Sequence, residues 1–323
     1  MPKFVPILCQ VSLDHNIPLI KENYENFKEI YNNVKIYVVC PNSQIKKFKD
    51  RLNFKEIEII NEDKILSFKT FKKIFHQMSV KINYQDKFKT RLKWYYQQIL
   101  KIIFILKFNK KHKDLIIWDA DTIILKKINF YKNNKSISYG NFYEYNKDYY
   151  KTNKLFIKSF PKYYVSFLNQ FISINKKDTK FLARNLFKKN DWKKNLEINT
   201  AKIILQNIFK AHNEYRGSMF SEYELIGQSN YMLNKSMQKP ILFLRQNLDG
   251  KLSNFQTLIS KILNFKHVTY EHRHLGIKNI GMLNRKQSFF GFLKIIFKNL
   301  LTHYIKTFFH FFKFFYYSND LKS

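Results

Sequence analysis

The chain has 323 residues, 45% of them apolar and 18% aromatic, which is ample for a buried core and excludes a disordered, solvating chain. Its 58 Lys and Arg against 24 Asp and Glu give a formal net charge of +34, a field that favours polyanions: nucleic acid, an anionic membrane face or phosphate-bearing substrates. That charge is spread along the chain among many Asn, Ile, Phe and Tyr, as A/T-rich coding also produces, so by itself it selects no function.

Cys9 and Cys40 each fall in an apparent strand, and free buried thiols in a reducing cytosol are expected rather than a disulfide. The opening Met-Pro-Lys-Phe-Val-Pro-Ile-Leu lacks the apolar core of a signal peptide. No stretch reaches the roughly 18 uncharged apolar residues of a membrane span. The expectation is a cytoplasmic protein that does not span the membrane.

Residues 5–11 read as a strand ending in the polar Ser12-Leu13-Asp14-His15, and 17–30 have helical spacing with Pro18 in the first turn. Residues 34–40 form a second strand, Ser43 caps a short helix through Leu52, and 56–60 form a third strand. This β-α-β-α-β order implies a parallel, right-handed α/β sheet, in which ligands bind beyond the carboxyl ends of the strands. Ser12 and Asp14 lie at such an end.

Helices over about 69–78 and 91–106 follow. The second contains Trp94-Tyr95-Tyr96-Gln97-Gln98-Ile99-Leu100-Lys101, in which Gln97 and Lys101 share a face one turn apart. Residues 115–125 then read Leu-Ile-Ile-Trp-Asp-Ala-Asp-Thr-Ile-Ile-Leu, an apolar run interrupted by Asp119 and Asp121. Apolar flanks of this kind mark a buried strand, where carboxylates are costly unless their charge is compensated. Another strand is expected at 137–142.

Beyond about residue 150 the pattern loosens. Residues 166–174 read as a strand or sheet edge, 177–187 and 192–209 as helices, and Ser221 as the N-cap of a segment opening Glu222-Tyr223-Glu224. Short strands are expected at 241–244 and 267–270, the latter running into Glu271-His272-Arg273-His274. The tail, 289–317, is aromatic and basic. At about 100° per residue, Lys294, Lys298, Thr302, Lys306 and Lys313 fall on one side of a helix. Phe297, Leu300, Tyr304, Phe308, Phe311 and Phe315 fall on the other, so the helix either lies in an anionic lipid interface or packs its apolar face on the domain.

Two carboxylates at i and i+2 at a strand end can both approach Mg2+ or Mn2+, ions that keep open positions for substrate phosphate oxygens. The plainer alternative is one Asp capping a turn and the other solvated. Haloacid-dehalogenase-type phosphatases use Asp-x-Asp-x-Thr after a strand, and Asp119-Ala120-Asp121 matches its first half. Here Thr122 comes one place early and Ile123 takes the Thr position. Three strands precede the motif, and the later aspartates Asp148, Asp178, Asp191, Asp249 and Asp320 are isolated. A nucleic-acid-binding protein would explain the charge but not the Asp pair, and no zinc pattern, RNP-like sequence or KH-like loop is present. Nucleic acid is therefore disfavoured.

Glycosyltransferases of the GT-A type place an Asp-x-Asp at a strand end about a hundred residues into an α/β nucleotide-binding half, as here. The residues Trp94–Lys101, Trp118-Asp119-Ala120-Asp121-Thr122, Ser166-Phe167-Leu168-Asn169-Gln170 and Phe220-Ser221-Glu222-Tyr223-Glu224 resemble, in this order, the bacterial GT-A-like DUF6492 family, over roughly residues 5 to 275. Where a His is expected within or beside 166–170, this chain has Asn169 and Gln170.

The resemblance implies a GT-A-like, Rossmann-like mixed α/β sheet flanked by helices. The domain would span 1–285, with a nucleotide- and metal-binding half (1–145) and an acceptor half (146–285), followed by an amphipathic tail (286–323). It implies a metal-dependent glycosyltransferase moving a sugar from a nucleotide-sugar donor to a glycan or lipid-linked acceptor, with a divalent metal (Mn2+ or Mg2+) held by Asp119 and Asp121. Ser12 and Asp14 would then face the nucleoside, and Gln97, Gln98 and Lys101 the donor. A carboxylate deprotonates the acceptor in an inverting transfer, and Glu222 or Glu224 is the candidate. On a helix start the two point about 200° apart, so at most one faces the site. GT-A enzymes often close the metal shell with a late His, for which His272 is the candidate, and His274, Gly276 and Lys278 follow it. An anionic membrane surface reached through 289–317, on the inner face, completes the expected partners.

Overall fold

The structure is a computed structural model describing residues 4–79, 91–108, 114–141, 146–157, 166–188, 194–212, 218–234, 238–245, 248, 250–270 and 285–319. In chain order, β1 (Ile7–Val11), α1 (Ile17–Tyr31), β2 (Lys35–Cys40), α2 (Ile45–Arg51) and β3 (Ile57–Asn61) give the expected alternation. Next come α3 (Phe68–Ser79), α4 (Leu92–Phe108), β4 (Asp114–Trp118) and, past a turn, β5 (Thr122–Ile124). The short strands β6 (Tyr131–Lys132), β7 (Lys135–Ser136) and β8 (Ser138–Gly140) precede α5 (Lys147–Asn153), β9 (Phe171–Asn175), α6 (Lys176–Phe187) and α7 (Leu196–Ala211). The remainder is α8 (Glu222–Leu233), β10 (Gln238–Pro240), α9 (Asn254–Ile262), β11 (His267–Thr269) and α10 (Phe289–Asn319).

The central sheet runs β3-β2-β1-β4-β9. Its first four strands are parallel, with Cys9 opposite both Tyr37 and Ile117, and β9 closes the edge antiparallel, Trp118 opposite Phe171. This is the mixed, mainly parallel α/β sheet that the strand–helix alternation implies. Alternation along each strand splits the core in two. Cys9, Val11, Tyr37, Val39 and Ile117 face a layer that includes Phe71, Tyr95, Ile99, Ile204 and Tyr223. Leu8, Ile36, Val38, Ile116 and Trp118 face Ile20, Phe27 and Phe48 of α1 and α2. Both faces are covered, which is why these strands read as continuous apolar runs.

A third cluster joins the late chain to the sheet. β11 pairs antiparallel with β5, Thr269 opposite Thr122, and Phe265, Val268 and Tyr270 pack with Leu125, Phe292, Ile295 and Ile296. The tail is helical as expected and leans on the domain through Phe292, Ile295, Ile296 and partly buried Leu300, so Leu300 faces inward rather than with the outward aromatics. No helix among the described residues is long and apolar enough to cross a membrane. Cys9 and Cys40 are free and buried, and burial pushes both thiols up, Cys40 to about 12.

Three local expectations differ from the structure. Ser43 lies inside a 3-10 turn, Asn42–Gln44, and α2 starts after Gln44 with no side-chain cap. Of residues 166–174 only the part from Phe171 is strand, because β4 is just long enough to pair with Phe171–Asn175. Around 241–244 the chain makes a single bridge, Leu244 to Val268, and the strand lies earlier, at Gln238–Pro240 against β8.

Candidate active site

The sheet changes direction between β1 and β4: from β1 the chain steps outward to β2 and β3, then returns to place β4 on the other side. In open α/β sheets the crevice at the strand carboxyl ends beside such a switch point is where ligands bind. Ser12 and Asp14 follow β1, and Asp119 and Asp121 follow β4.

The segment 119–121 is a tight bend fastened on several sides. The Asp119 N–H donates to Gln170 O (2.8 Å) and the Thr122 N–H to Asp119 O (3.1 Å). The Trp118 indole donates to Thr122 O (2.8 Å), and the Tyr270 N–H donates to Asp121 O (2.9 Å). Thr122 Oγ1 lies 2.8 Å from Thr269 Oγ1. Ala120 is buried under the bend. The two carboxylates therefore leave a turn between β4 and β5 rather than one straight strand.

Behind the bend lies a buried ionic cluster. Lys101 Nζ is 2.6 Å from Asp119 Oδ1 and 2.6 Å from Glu222 Oε1, and it stands 4.6 Å from the centre of the Tyr223 ring. The Tyr223 hydroxyl donates to Asp119 Oδ1 at 2.7 Å. The Lys101 side chain is 4% exposed and that of Glu222 4%, so neither charge has water to fall back on. Burial alone would push the Lys101 ammonium down, but Asp119 and Glu222 together hold it above its ordinary value. Burial raises the Glu222 carboxyl, against the pull of Lys101. It also raises the Tyr223 hydroxyl, helped by the Asp119 and Glu222 charges, so Tyr223 stays a donor.

Gln170 closes the other side. With its amide nitrogen turned to Asp119 Oδ2 (2.5 Å), its oxygen accepts from the Arg245 guanidinium at 3.0–3.2 Å. Its backbone carbonyl takes both the Asp119 N–H and, at 3.2 Å, the Tyr223 hydroxyl. To do this Gln170 adopts φ 63°, the left-handed region that a non-glycine residue enters only at a cost. Tyr223, Gln170 and Arg245 were given no role by the sequence. Tyr223 and Gln170 sit inside the quoted motifs, but the positive φ and the Arg245 contact arise only from tertiary structure.

The remaining residues expected at the site fall in two groups. Ser12 is buried, donating to Leu13 O (3.0 Å), while Asp14 pairs with Lys47 at 2.5 Å. The hydrogen bond from Lys47 lowers the Asp14 carboxyl. The Gln97 amide donates to Val11 O (3.1 Å), tying α4 to the end of β1. Gln98 is buried and accepts the Glu222 N–H at 3.2 Å, so its carbonyl serves the first turn of α8. Glu222 and Glu224 diverge as expected. Glu224 is buried, taking the Ser166 hydroxyl (2.6 Å) and the Phe167 N–H (3.1 Å), and only Glu222 joins the Asp119 cluster. His272, with His274, Gly276 and Lys278, lies outside the described residues.

Among the described residues, Asp119 Oδ1 receives two donors and Oδ2 one, which leaves one lone-pair position on that carboxylate. Asp121 is half-buried, with a long contact (3.5 Å) from Thr122 Oγ1. Among the described residues no group of three or more His, Cys, Asp or Glu could hold a metal ion. This donor set fits the kind of Mg2+ or Mn2+ site that uses one or two carboxylates and leaves the other positions to water and substrate phosphate. It does not fit an all-protein cage.

Residues 18–240 match the model of DUF6492, a family of unknown function; the match contains Lys101, the Asp pair and the Glu222–Glu224 segment and leaves out Ser12, Asp14 and the tail. No curated protein matches. Among solved structures, the chain is similar to mouse xyloside xylosyltransferase 1 in its apo form, at 9% identity and TM-score 0.40, over 83% of this chain and 98% of that one. It is also similar to the apo structure of the bifunctional glycosyltransferase WbbM, at 8% identity and TM-score 0.41, over 84% of this chain but only 46% of that one.

Proposed function

The chain belongs to the DUF6492 family, and we propose that it is a metal-dependent glycosyltransferase that moves a sugar from a nucleotide-sugar donor to a glycan or lipid-linked acceptor. The observation that carries this reading is the placement of Asp119 and Asp121 on a fastened bend beside the β1–β4 switch point, with Asp119 locked by Lys101. A crevice at that point suits a nucleotide, and two half-buried carboxylates there suit a cation that would carry its diphosphate. A phosphatase that uses the first Asp as nucleophile fits less well, because Lys101, Tyr223 and Gln170 already occupy three of the Asp119 acceptor positions.

In this reading Asp121 and Asp119 would hold the divalent ion. When bound, the ion supplies positive charge to the departing nucleoside diphosphate. Lys101 and Tyr223 hold Asp119 in its orientation, and Gln170 fixes Asp119 relative to Arg245. Arg245 is a second cation near the same edge, suited by its planar fork to phosphate oxygens. Glu222, which joins the Asp119 cluster, is preferred to Glu224 as the carboxylate that takes the acceptor hydroxyl proton. Burial raises its carboxyl, which strengthens it as a base. Ser12 and Asp14 border the nucleoside side of the crevice, and Gln97 braces the end of β1. The location proposed is cytoplasmic, at the inner membrane face.

Thermal-shift screening of the full chain against UDP-, GDP- and CMP-sugars, each with and without Mn2+, tests this directly. Stabilisation by one nucleotide class that requires the metal supports the reading. The absence of any nucleotide effect counts against it.

A further inference from the structure

Helices α9 and α10 expose an apolar surface larger than folding requires. On α10, Phe292, Ile295 and Ile296 face the domain and are buried. Turning about 100° per residue, Phe290, Leu293, Phe297, Leu301 and Tyr304 fall together within an arc of about 80° on the opposite side. There Phe290 is 84% exposed, Phe297 69% and Tyr304 64%. On α9, Phe255, Leu258 and Ile262 recur at i, i+3 and i+7, and they are 60%, 53% and 70% exposed. Beside the two stripes the Phe255 and Phe289 rings stack, centroids 6.2 Å apart, which brings the two helices together. Large apolar side chains exposed in stripes on two adjoining helices mark an interaction site.

The charge around the patch selects the partner. From Leu252 to Asn319 the sequence contains one acidic residue, Glu271. Exposed Lys294 and Lys298 border the aromatic stripe, and exposed Arg285 and Lys286 precede the helix. A cleft between α10 and the domain is lined by Lys127, Lys266, His303 and Tyr304. Aromatic side chains flanked by lysines are the composition of a helix seated in the headgroup region of an anionic bilayer. A second copy is disfavoured by the same charges, since each chain carries +34.

We propose that α9 and α10 together form a docking platform for an anionic lipid surface, lying flat on it with Phe255, Leu258, Phe290 and Phe297 inserted. The platform is independent of the transferase reading, so either can fail alone. The test is sedimentation of the full chain with phosphatidylcholine vesicles, with or without about 30% phosphatidylglycerol, at about 0.1 M and about 0.5 M salt. The variants are Phe290→Ser/Phe297→Ser and Phe255→Ser/Leu258→Ser, all at exposed positions, with circular dichroism to confirm folding. The expected result is binding to the anionic vesicles that falls roughly tenfold or more in high salt, on neutral vesicles and in either variant. Equal binding to neutral vesicles, or wild-type binding by the α9 variant, would overturn the proposal. So would a wild-type dimer in sedimentation velocity that both variants dissolve, without vesicle binding.

Discussion

The Lys101 ammonium sits 2.6 Å from Asp119 Oδ1, bridging a helix and a strand end that lie 18 residues apart in the chain. A lysine this deeply buried is tolerated because Glu222 receives it from the other side at 2.6 Å. The cluster is consequently both a structural joint between α4, β4 and α8 and the support on which the Asp119–Asp121 bend rests.

Lys101→Met leaves Asp119 and Glu222 close together without a countercharge. Breaking a buried pair from one side costs about 3–5 kcal/mol. Urea denaturation of Lys101→Met should show a loss of that order, and adding Glu222→Gln should recover part of it. Strictly additive losses in the double variant would show that the two side chains do not act as a pair.

His267 gives a pH prediction of known sign. It is fully buried, its ring stacked on Phe243 at 4.8 Å, and neither ring nitrogen has a hydrogen-bond partner among the described residues. Burial, reinforced by Arg245, pushes it down to about 3. The unfolded chain therefore binds a proton near pH 6.5 that the folded chain refuses. This contribution to stability is complete above pH 6.5 and is lost progressively as pH falls toward 3, amounting to several kcal/mol. His267→Phe should flatten the fall in Tm between pH 6.5 and 4. Parallel Tm curves for the two proteins would contradict the assignment.

Gly227 sets the seating of α8. A Cβ there would lie 2.2 Å from Phe167 Cγ, within the segment whose Phe167 N–H is held by Glu224. Ala normally favours a helix over Gly by about 1 kcal/mol, yet the clash should reverse that and cost about 1–3 kcal/mol. Chemical denaturation of Gly227→Ala measures it, and a more stable variant would mean the contact is soft.

Gln170 at φ 63° predicts an unusual ordering of substitutions. Gln170→Gly relaxes the backbone, whereas Gln170→Ala keeps the strain and loses the same side-chain bonds. Gly should therefore be the more stable of the two by about 1 kcal/mol. Equal stabilities would mean the left-handed conformation is not retained.

Much of the scaffold was legible because its signals are local. The apolar runs around Val38 and Ile116 and the period of α1 depend on neighbours in sequence, as does the Ser221 cap, whose Oγ accepts the Glu224 N–H at 3.4 Å. The divergence of Glu222 and Glu224 followed from helix geometry alone. The sequence could not show which donors meet at Asp119, because Lys101, Gln170 and Tyr223 come from three separate segments. Nor could it show that residues 166–170 form a bend supporting Asp119 rather than a strand. The helical form of the tail was legible, but its domain-facing residues Phe292, Ile295 and Ile296, the contacts of Leu300 and the contribution of α9 required the packed late cluster.

The most direct measurement of the central claim is sugar-nucleotide turnover by Asp121→Asn alongside wild type, with Mn2+ titrated and Tm recorded for both. Metal-dependent turnover is expected in wild type, with a loss of about a hundredfold or more in the variant at an unchanged Tm. Turnover by Asp121→Asn at the wild-type rate, with the same response to Mn2+, would contradict it.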